Sequence, residues 1–326
     1  MKYFLRRVGF YIFTAWAAVT INFLIPRLMP GNPVELLLTR LKGRVSPQAT
    51  HALMIEFGLT TKEGLLAEYG TYMRQIVHGQ FGISITYFPT PVGTVIGEAL
   101  PWTLCLVGIA TVISFVLGTA LGIIVGWHRG SRLDSLLPVT TFFSAIPYFW
   151  LALVAILVFS TMLGWFPVSG GSSLVAQPGW NWSFVSSAID HGALPAFTIV
   201  LSSIAGWLLQ MRNMMVAVLS EDYVLMAETK GLKPSRVMWV YAARNAILPN
   251  MANFALSLGF VISGAILVEA VFAYPGIGYL LYEAVSNEDF PLAQAILLII
   301  TMAVLVANLA ADVVYGALDP RARHEQ

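Results

Sequence analysis

Long apolar stretches without a charged residue dominate the pattern of this chain. Five of them occupy residues 8–26, 99–128, 191–211, 245–268 and 290–311. A charge in the middle of a bilayer is costly, and a helix needs about 20 residues to cross a hydrocarbon core of about 30 Å. Each of these stretches therefore predicts one transmembrane helix.

A sixth charge-free stretch, residues 135–189, is too long for a single helix because it contains 55 residues. Its second part, 169–183, is rich in Gly and Ser and contains Pro178, which is typical of a loop. We therefore predict one span in its first part. The whole pattern predicts six spans, at about 9–29, 100–126, 136–163, 192–211, 251–270 and 292–314.

Lys and Arg are unevenly distributed over the connecting segments, and such a bias orients membrane proteins because positive charge stays on the cytoplasmic side. With six spans, basic residues gather at both termini, between the second and third spans, and in 212–250, whereas 164–191 and 271–291 contain none. Segment 30–98 also carries basic residues, but it exceeds the roughly 60 residues over which the bias holds. We therefore expect cytoplasmic termini, an extracytoplasmic segment at 30–98 and a cytoplasmic loop at 212–250.

Local sequence signals refine the prediction for residues 1–98. In 30–98, Ser46-Pro47 and Gly58 predict the start and stop of one helix, and a second helix is expected at about 62–77. Residues 1–29 partly resemble a signal peptide, but cleavage within them leaves an apolar region of only about seven residues. We therefore expect the first span to be retained.

Composition agrees with a membrane protein and excludes other classes. The chain has 326 residues, of which 57% are hydrophobic and 11% are charged, against roughly 25% charged in soluble proteins. This much apolar surface excludes a disordered chain, and a net charge of +1 gives no electrostatic attraction to nucleic acid. Cys105 is the single cysteine, which excludes an intramolecular disulfide and a multi-cysteine metal site.

The 212–250 loop contains a short predicted helix at 220–231. Ser220 suits its N-cap, and Glu221 and Asp222 suit the positive end of the helix dipole. Lys230 suits the negative end and Gly231 the stop. A second helix is expected to start near Lys233-Pro234 and to lead into the fifth span.

One face of the short helix carries Tyr223, Ala227 and Lys230, with Met226 beside them. An amphipathic helix lying on the membrane surface is one interpretation. Two acidic residues in the first turn and a weak basic face argue against it. A helix that docks a cytoplasmic partner explains the pattern better.

The remaining glycine, carboxylate and histidine positions do not form a recognisable catalytic or metal site. Gly118, Gly122 and Gly126 recur at every fourth residue, which favours close packing of the second span against another helix. Glu269 and Asp312 lie near predicted span ends, where a capping or snorkelling role is as reasonable as a functional one. The five histidines show no metal-binding spacing. We therefore expect no catalytic, cofactor or metal site in this chain.

The 212–250 loop resembles the EAA loop of ATP-binding-cassette (ABC) importer permeases, because residues 221–249 contain YVLMAETKGL followed by RNAILP. The version is similar to that of the dipeptide, oligopeptide and nickel permease family. Further segments follow that family's order along the whole chain: FLRRVGF (4–10), RLMPGNPV (27–34), GQFGISI (79–85), FFSAIPYFWLAL (142–153), EAVFAYPGIGYLLYEAV (269–285) and LDPRAR (318–323). The family's name-giving glutamate would fall at Leu225, so docking here would lack a salt bridge from that position.

This resemblance implies an all-α integral membrane permease of the type I ABC importer fold, with 1–326 as a single transmembrane domain. It implies a second homologous permease, two cytoplasmic ATPase subunits that carry ATP and Mg²⁺, and an extracytoplasmic solute-binding protein. The residues expected to couple to the ATPase are Asp222, Tyr223, Met226, Ala227, Lys230 and Gly231. No Gly-Lys dipeptide occurs, which excludes a Walker A loop and makes the chain no ATPase by itself. The expected location is the cytoplasmic (inner) membrane of a bacterium or archaeon.

Two other classes of function are weighed against this interpretation. An ion-coupled secondary transporter predicts carboxylates inside the spans, whereas the span interiors here are free of charge. A membrane-bound enzyme predicts a nucleophile or metal constellation, and the sequence offers none. The solute stays open between peptides, oligosaccharides and nickel complexes.

Overall fold

The computed structural model describes residues 2–28, 64–261 and 265–318. This part of the chain is helical, and its one pairing of extended backbone is an isolated bridge between Ile83 and Pro91. The α-helices are α1 (Lys2–Leu28), α2 (Leu65–Val77), α3 (Val92–Trp127), α4 (Leu136–Ala145), α5 (Tyr148–Ala155), α6 (Trp182–Val218), α7 (Asp222–Thr229), α8 (Pro234–Arg236), α9 (Arg244–Gly259), α10 (Ile266–Val271), α11 (Ile277–Ser286) and α12 (Phe290–Leu318). A 3₁₀ turn, Arg132–Ser135, precedes α4, and the π-helical segments Ile156–Met162 and Val237–Ala243 follow α5 and α8. The predicted all-α class is confirmed for these residues.

Four helices within the described ranges are long and apolar enough to cross a membrane. They are Arg6–Leu24 within α1, Val92–Trp127, Trp182–Val218 and Phe290–Ala310 within α12. These positions agree with the predicted first, second, fourth and sixth spans. The helices α3 and α6 are 36 and 37 residues long, so each extends well beyond the roughly 20 residues that a bilayer requires.

The predicted third span is a bent pair of helices. Leu137–Ala145 and Tyr148–Met162 together pass the same test of length and apolarity but meet at 95°. The bend lies at Ile146-Pro147, where Ile146 is extended with φ −78° and ψ 130°. Proline lacks an N–H and disfavours helical backbone in the preceding residue, which explains the break.

The helices at the predicted fourth and fifth spans differ from the prediction, and neither α9 nor α10 is among the described helices long and apolar enough to cross a membrane. Helix α6 begins at Trp182 because the Asn181 side chain caps it, accepting the Phe184 N–H at 2.8 Å. The predicted 251–270 span corresponds to the end of α9 and to α10, with residues 262–264 outside the described ranges.

In the predicted extracytoplasmic segment, only residues from 64 onwards are described. The helix expected at 62–77 corresponds to α2, which ends before Gly79 with φ +68°. The helix expected between Ser46 and Gly58 lies outside the described residues.

Two compact units divide the chain, and the boundary at Pro101 lies inside α3. In the first unit, Met1–Pro101 with Gly276–Gln326, the last turns of α1 meet the first turns of α12. Asn22 Nδ2 donates to the Gln294 carbonyl at 2.9 Å, and Gln294 Nε2 donates to the Asn22 carbonyl at 2.8 Å. Asn22 Nδ2 also donates to the hydroxyl of Tyr72 in α2 at 3.0 Å. Polar contacts therefore join these three helices.

The second unit, Trp102–Pro275, is built on a close contact between α3 and α6. A Cβ on Gly122 would lie 2.6 Å from the Leu208 carbonyl oxygen, and one on Gly118 would lie 2.6 Å from Trp207 Cβ. The glycine stripe therefore packs one span against another, as the sequence favours. The apolar core beside it comprises Leu106, Val107, Ala110, Ala152, Ala155, Leu194, Ile199, Val261, Val268, Phe272 and Tyr274.

Candidate functional site

The predicted docking helix is α7, Asp222–Thr229, and its N-terminal end differs in detail from the prediction. Ser220 is not its cap, because Ser220 Oγ donates to the Ala217 carbonyl at 2.8 Å at the end of α6. Glu221 occupies the N-cap position without a side-chain hydrogen bond. Asp222 lies in the first turn, as expected, where its negative charge interacts favourably with the positive end of the helix dipole.

The C-terminal end of α7 is a complete Schellman turn. Gly231 adopts φ +71° and its N–H donates to the Glu228 carbonyl at 2.9 Å. The Leu232 N–H donates to the Ala227 carbonyl at 3.4 Å. This pair of bonds defines the motif, and its left-handed residue is the reason for glycine at this position. Lys230 is the C-cap residue, one position after the last helical residue Thr229.

A small apolar cluster fixes α7 to its own chain. Val224 and Ala227 are buried against Val237, and partly buried side chains from the ends of α3 and α6 pack around them. These are Trp127, Val218, Leu219, Leu232 and Tyr241. Ala227 is only 3% exposed, so it does not lie on the outer face that was predicted for it. Any part that Ala227 takes in coupling must be to position α7.

The outer face of α7 carries the other predicted residues. Asp222, Tyr223, Met226 and Lys230 are all exposed, and at 100° per residue they cover one continuous face. Met226 is 57% exposed and Tyr223 38%. Leu225, also exposed, extends this apolar surface on the other side of Asp222 and was not among the predicted coupling residues. In the sequence, this position differs from the family pattern because Leu225 replaces the family's glutamate.

The segment after α7 runs into a long helical stretch without interruption. Helix α8 starts at Pro234, as expected, and continues through the π-helical Val237–Ala243 into α9. Ala242, Ala243 and Ala246 pack against Ile123, Met211 and Met215 of α3 and α6. Helix α7 is thus followed by one continuous helical stretch, Pro234–Gly259, which packs against α3 and α6.

A buried carboxylate, Glu269, lies in the core of the second unit. It is 0% exposed, and Thr103 Oγ1 donates to its Oε1 at 2.9 Å. Its place in the short helix α10 agrees with a hydrogen-bonded role near a span end. The side chain of Asp312 lies outside the described residues. No group of three or more metal-ligating side chains occurs in the described ranges.

A second polar cluster in the first unit ties the loop before α3 to the start of α12. Asp289 is 0% exposed; its Oδ1 caps α12 by accepting the Leu292 N–H at 3.2 Å. Its Oδ2 accepts the Ser84 hydroxyl and, at 2.8 Å, the Thr86 N–H. Sequence analysis did not assign this role, although an Asp with Pro291 in the first helical turn is a capping signal.

Glu283 completes this cluster by accepting hydrogen bonds from two tyrosines. The Tyr87 hydroxyl donates to its Oε2, and the Tyr279 hydroxyl donates to its Oε1 at 2.9 Å. Burial and the hydrogen bond to Glu283 raise the pKa of both tyrosines above the ordinary value of 10.0. The arrangement holds a loop in place and offers no nucleophile or metal site.

Comparison of the sequence with known proteins finds similar proteins among transport permeases. Residues 118–324 match the family described as binding-protein-dependent transport system inner membrane component. The chain is 34% identical to the di/tripeptide transport system permease protein DppB of Pseudomonas aeruginosa over 100% of both chains. It is 32% identical to the oligopeptide transport system permease protein AppB of Bacillus subtilis over 98% of both. It is 30% identical to the dipeptide transport system permease protein DppB of Escherichia coli over 100% of both.

Proposed function

Because the chain belongs to the family of binding-protein-dependent transport system inner membrane components, we propose that it forms half of the membrane pathway of an ATP-driven peptide importer. It is a transmembrane subunit of an ABC importer and an integral protein of the bacterial inner membrane. Peptides are the proposed solutes because the full-length relatives are named as permeases for dipeptides, tripeptides and oligopeptides.

The proposed complex contains a second permease, two cytoplasmic ATPases that bind ATP and Mg²⁺, and an extracytoplasmic binding protein. Permeases of such systems work with ATPase and binding-protein components, and this chain lacks the Gly-Lys dipeptide of a Walker A loop. The ATPases therefore supply the energy, and the permease converts their movement into access from one side or the other. An ion-coupled transporter is the alternative.

The proposed topology has six spans with both termini in the cytoplasm. Support comes from the Asn22–Gln294 contact, which places the end of α1 beside the start of α12. A chain that leaves the membrane at the end of α1 and re-enters at the start of α12 does so on one side. The first and last helices then run in opposite directions, with residues 2 and 318 at the other side.

Helix α7 is the proposed contact with an ATPase, through Asp222, Tyr223, Met226 and Lys230. The observation that carries this proposal is an exposed apolar and aromatic surface on a short helix whose opposite face is fixed to the permease. Exposed apolar side chains next to charges are typical of interfaces. Ala227 and Gly231 would act indirectly, the first by packing and the second by closing the turn that ends α7.

Transport in sealed vesicles tests the function. The complex is reconstituted with its ATPases and binding protein, and uptake of a ¹³C-labelled protein hydrolysate is followed by mass spectrometry. We expect uptake of short peptides only with ATP, the ATPases and the binding protein all present. Uptake driven by a proton or sodium gradient without ATP would contradict the proposal and favour the ion-coupled alternative.

Two matched variants test the docking face. Met226→Ala removes an exposed apolar side chain from the proposed contact, whereas Glu228→Ala removes an exposed side chain from the opposite flank of α7. An interface anchor contributes about 1–3 kcal/mol, so the first variant should weaken ATPase association about fivefold or more. The control should bind the ATPases as the unmodified chain does. Equal affinity of both variants would contradict the assigned face.

A further inference from the structure

Asn250 in α9 is a buried amide with poor hydrogen bonds. It is 0% exposed, and its Nδ2 lies 3.3 Å from Thr119 Oγ1 and 3.5 Å from the Trp207 carbonyl oxygen. Good N–H···O bonds measure about 2.7–3.2 Å. Asn250 Oδ1 accepts no hydrogen bond from the residues that the structure describes. A buried amide without good hydrogen bonds destabilises the helix packing around it.

The two partners of Asn250 lie at a close contact between α3 and α6 in the second unit. Thr119 follows Gly118 in α3, and a Cβ on Gly118 would lie 2.6 Å from Trp207 Cβ and 2.8 Å from the Ile204 carbonyl oxygen in α6. Backbone lies against backbone here, which leaves no free space for relative movement of the two helices. The helices α3 and α6 therefore act as a rigid pair.

The helical stretch from Pro234 to Gly259, by contrast, contains two weak points. Pro249 lacks the N–H that would bond the Asn245 carbonyl one turn earlier. The π-helical Val237–Ala243 precedes α9 in the same helical stretch, and such segments are deformable and frequent at functional sites. Val237 at the start of that segment packs directly on Val224 and Ala227 of the docking helix.

We propose that Asn250 is a positioning residue that transmits movement of α7 to the rigid pair α3–α6, an inference that rests on the proposed function. When the ATPases move α7, the stretch from Pro234 to Gly259 shifts against α3 and α6, and bends near Pro249. The Asn250 amide then replaces its two long hydrogen bonds with shorter ones. Between apolar spans an amide without partners is costly, so only discrete positions of α9 are allowed.

A merely structural role predicts something different. If Asn250 only held three helices together, its loss would lower the stability of the complex and would leave the ATP consumed per peptide unchanged. If it transmits movement, its loss would leave assembly intact and raise the ATP consumed per peptide. The ratio of ATP hydrolysed to peptide imported therefore separates the two roles.

The test uses the whole reconstituted complex with the ¹³C-labelled hydrolysate as probe. Thr119→Val keeps the size of the side chain and removes the hydroxyl that Asn250 contacts. Thr198→Val is the matched control, because Thr198 is 1% exposed and its hydroxyl donates to the Pro195 carbonyl of its own helix. We expect the ratio to rise about fivefold or more in Thr119→Val and to stay within about twofold of the unmodified complex in the control.

Asn250→Leu is the second variant, with an expected increase at least as large. If Asn250→Leu does not assemble, Thr119→Val decides alone. An unchanged ratio in the variants that assemble would overturn the inference. A loss of uptake that follows a loss of thermal stability at constant ratio would also overturn it. Absence of ATP-driven uptake in the unmodified complex would instead contradict the proposed function.

Discussion

The glycine stripe of α3 provides the sharpest test of the packing in the second unit. Gly118, Gly122 and Gly126 each face α6, and a Cβ at Gly122 would lie 2.6 Å from the Leu208 carbonyl oxygen and 2.7 Å from Met211 Cβ. Favourable contacts between carbon atoms begin at about 3.5 Å. Gly122→Ala therefore requires a displacement of about 0.8 Å at the Met211 contact.

The cost of that displacement follows from what the new methyl group meets. The nearest atom belongs to the backbone of a 37-residue helix, which cannot rotate away as the end of a side chain can. Overpacking of this kind costs about 1–3 kcal/mol. Replacing glycine by alanine inside a helix returns about 0.5–1 kcal/mol through lower chain entropy. The net effect expected for Gly122→Ala is a destabilisation of up to about 2.5 kcal/mol.

Gly108→Ala is the matched control in the same helix. A Cβ at Gly108 would lie 3.9 Å from Val261 Cγ1, which is an ordinary contact. This variant should be stabilised by about 0.5–1 kcal/mol. The measurement is the free energy of unfolding in mixed micelles during titration with a denaturing detergent, followed by circular dichroism. Equal stability of Gly122→Ala and Gly108→Ala would refute the close contact between α3 and α6.

Four further substitutions have defined outcomes in the same unfolding measurement or in coupled transport. Gly231→Ala should lose about 1 kcal/mol, and Ala273→Gly should gain about as much, because both positions have positive φ; changes of the same sign would contradict this. Ala227→Leu overfills the cluster under α7 and should uncouple ATP hydrolysis from uptake in an assembled complex; normal coupling would be the contrary result. Burial and the hydrogen bond to Glu283 raise the pKa of Tyr87, which stabilises the fold relative to an unfolded chain whose tyrosine ionises near pH 10. This contribution to stability is complete below about pH 10 and decreases as the pH rises further. Tyr87→Phe should therefore lose less stability between neutral pH and pH 11 than the unmodified chain, and equal losses would argue against the raised pKa.

The positions of the apolar helices follow from the sequence alone, because the distance between charges is a local property. Four of the predicted spans coincide with long helices. The sequence also predicted the position of helix α7, since an acidic first turn and Gly231 act within a few residues of the chain. The glycine stripe was recognisable for the same reason, although its partner helix was not.

The face of each helix that meets another helix was known only once the chain was folded. Periodicity placed Ala227 beside Tyr223 and Lys230, whereas packing against Val237 buries it. In a membrane protein both the core and the lipid-facing surface are apolar, so hydropathy alone cannot separate a buried position from an exposed one. The side of α7 that is exposed therefore had to come from the folded chain.

The polar contacts inside and between helices also depended on the fold. Asp289 joins residues 84–86 to α12, and Asn250 meets Thr119 more than a hundred positions away. The sequence contains each of these side chains but not the distance between them. The long apolar helices thus followed from local hydropathy, whereas the contacts that fix and couple them required the folded chain to bring distant residues together.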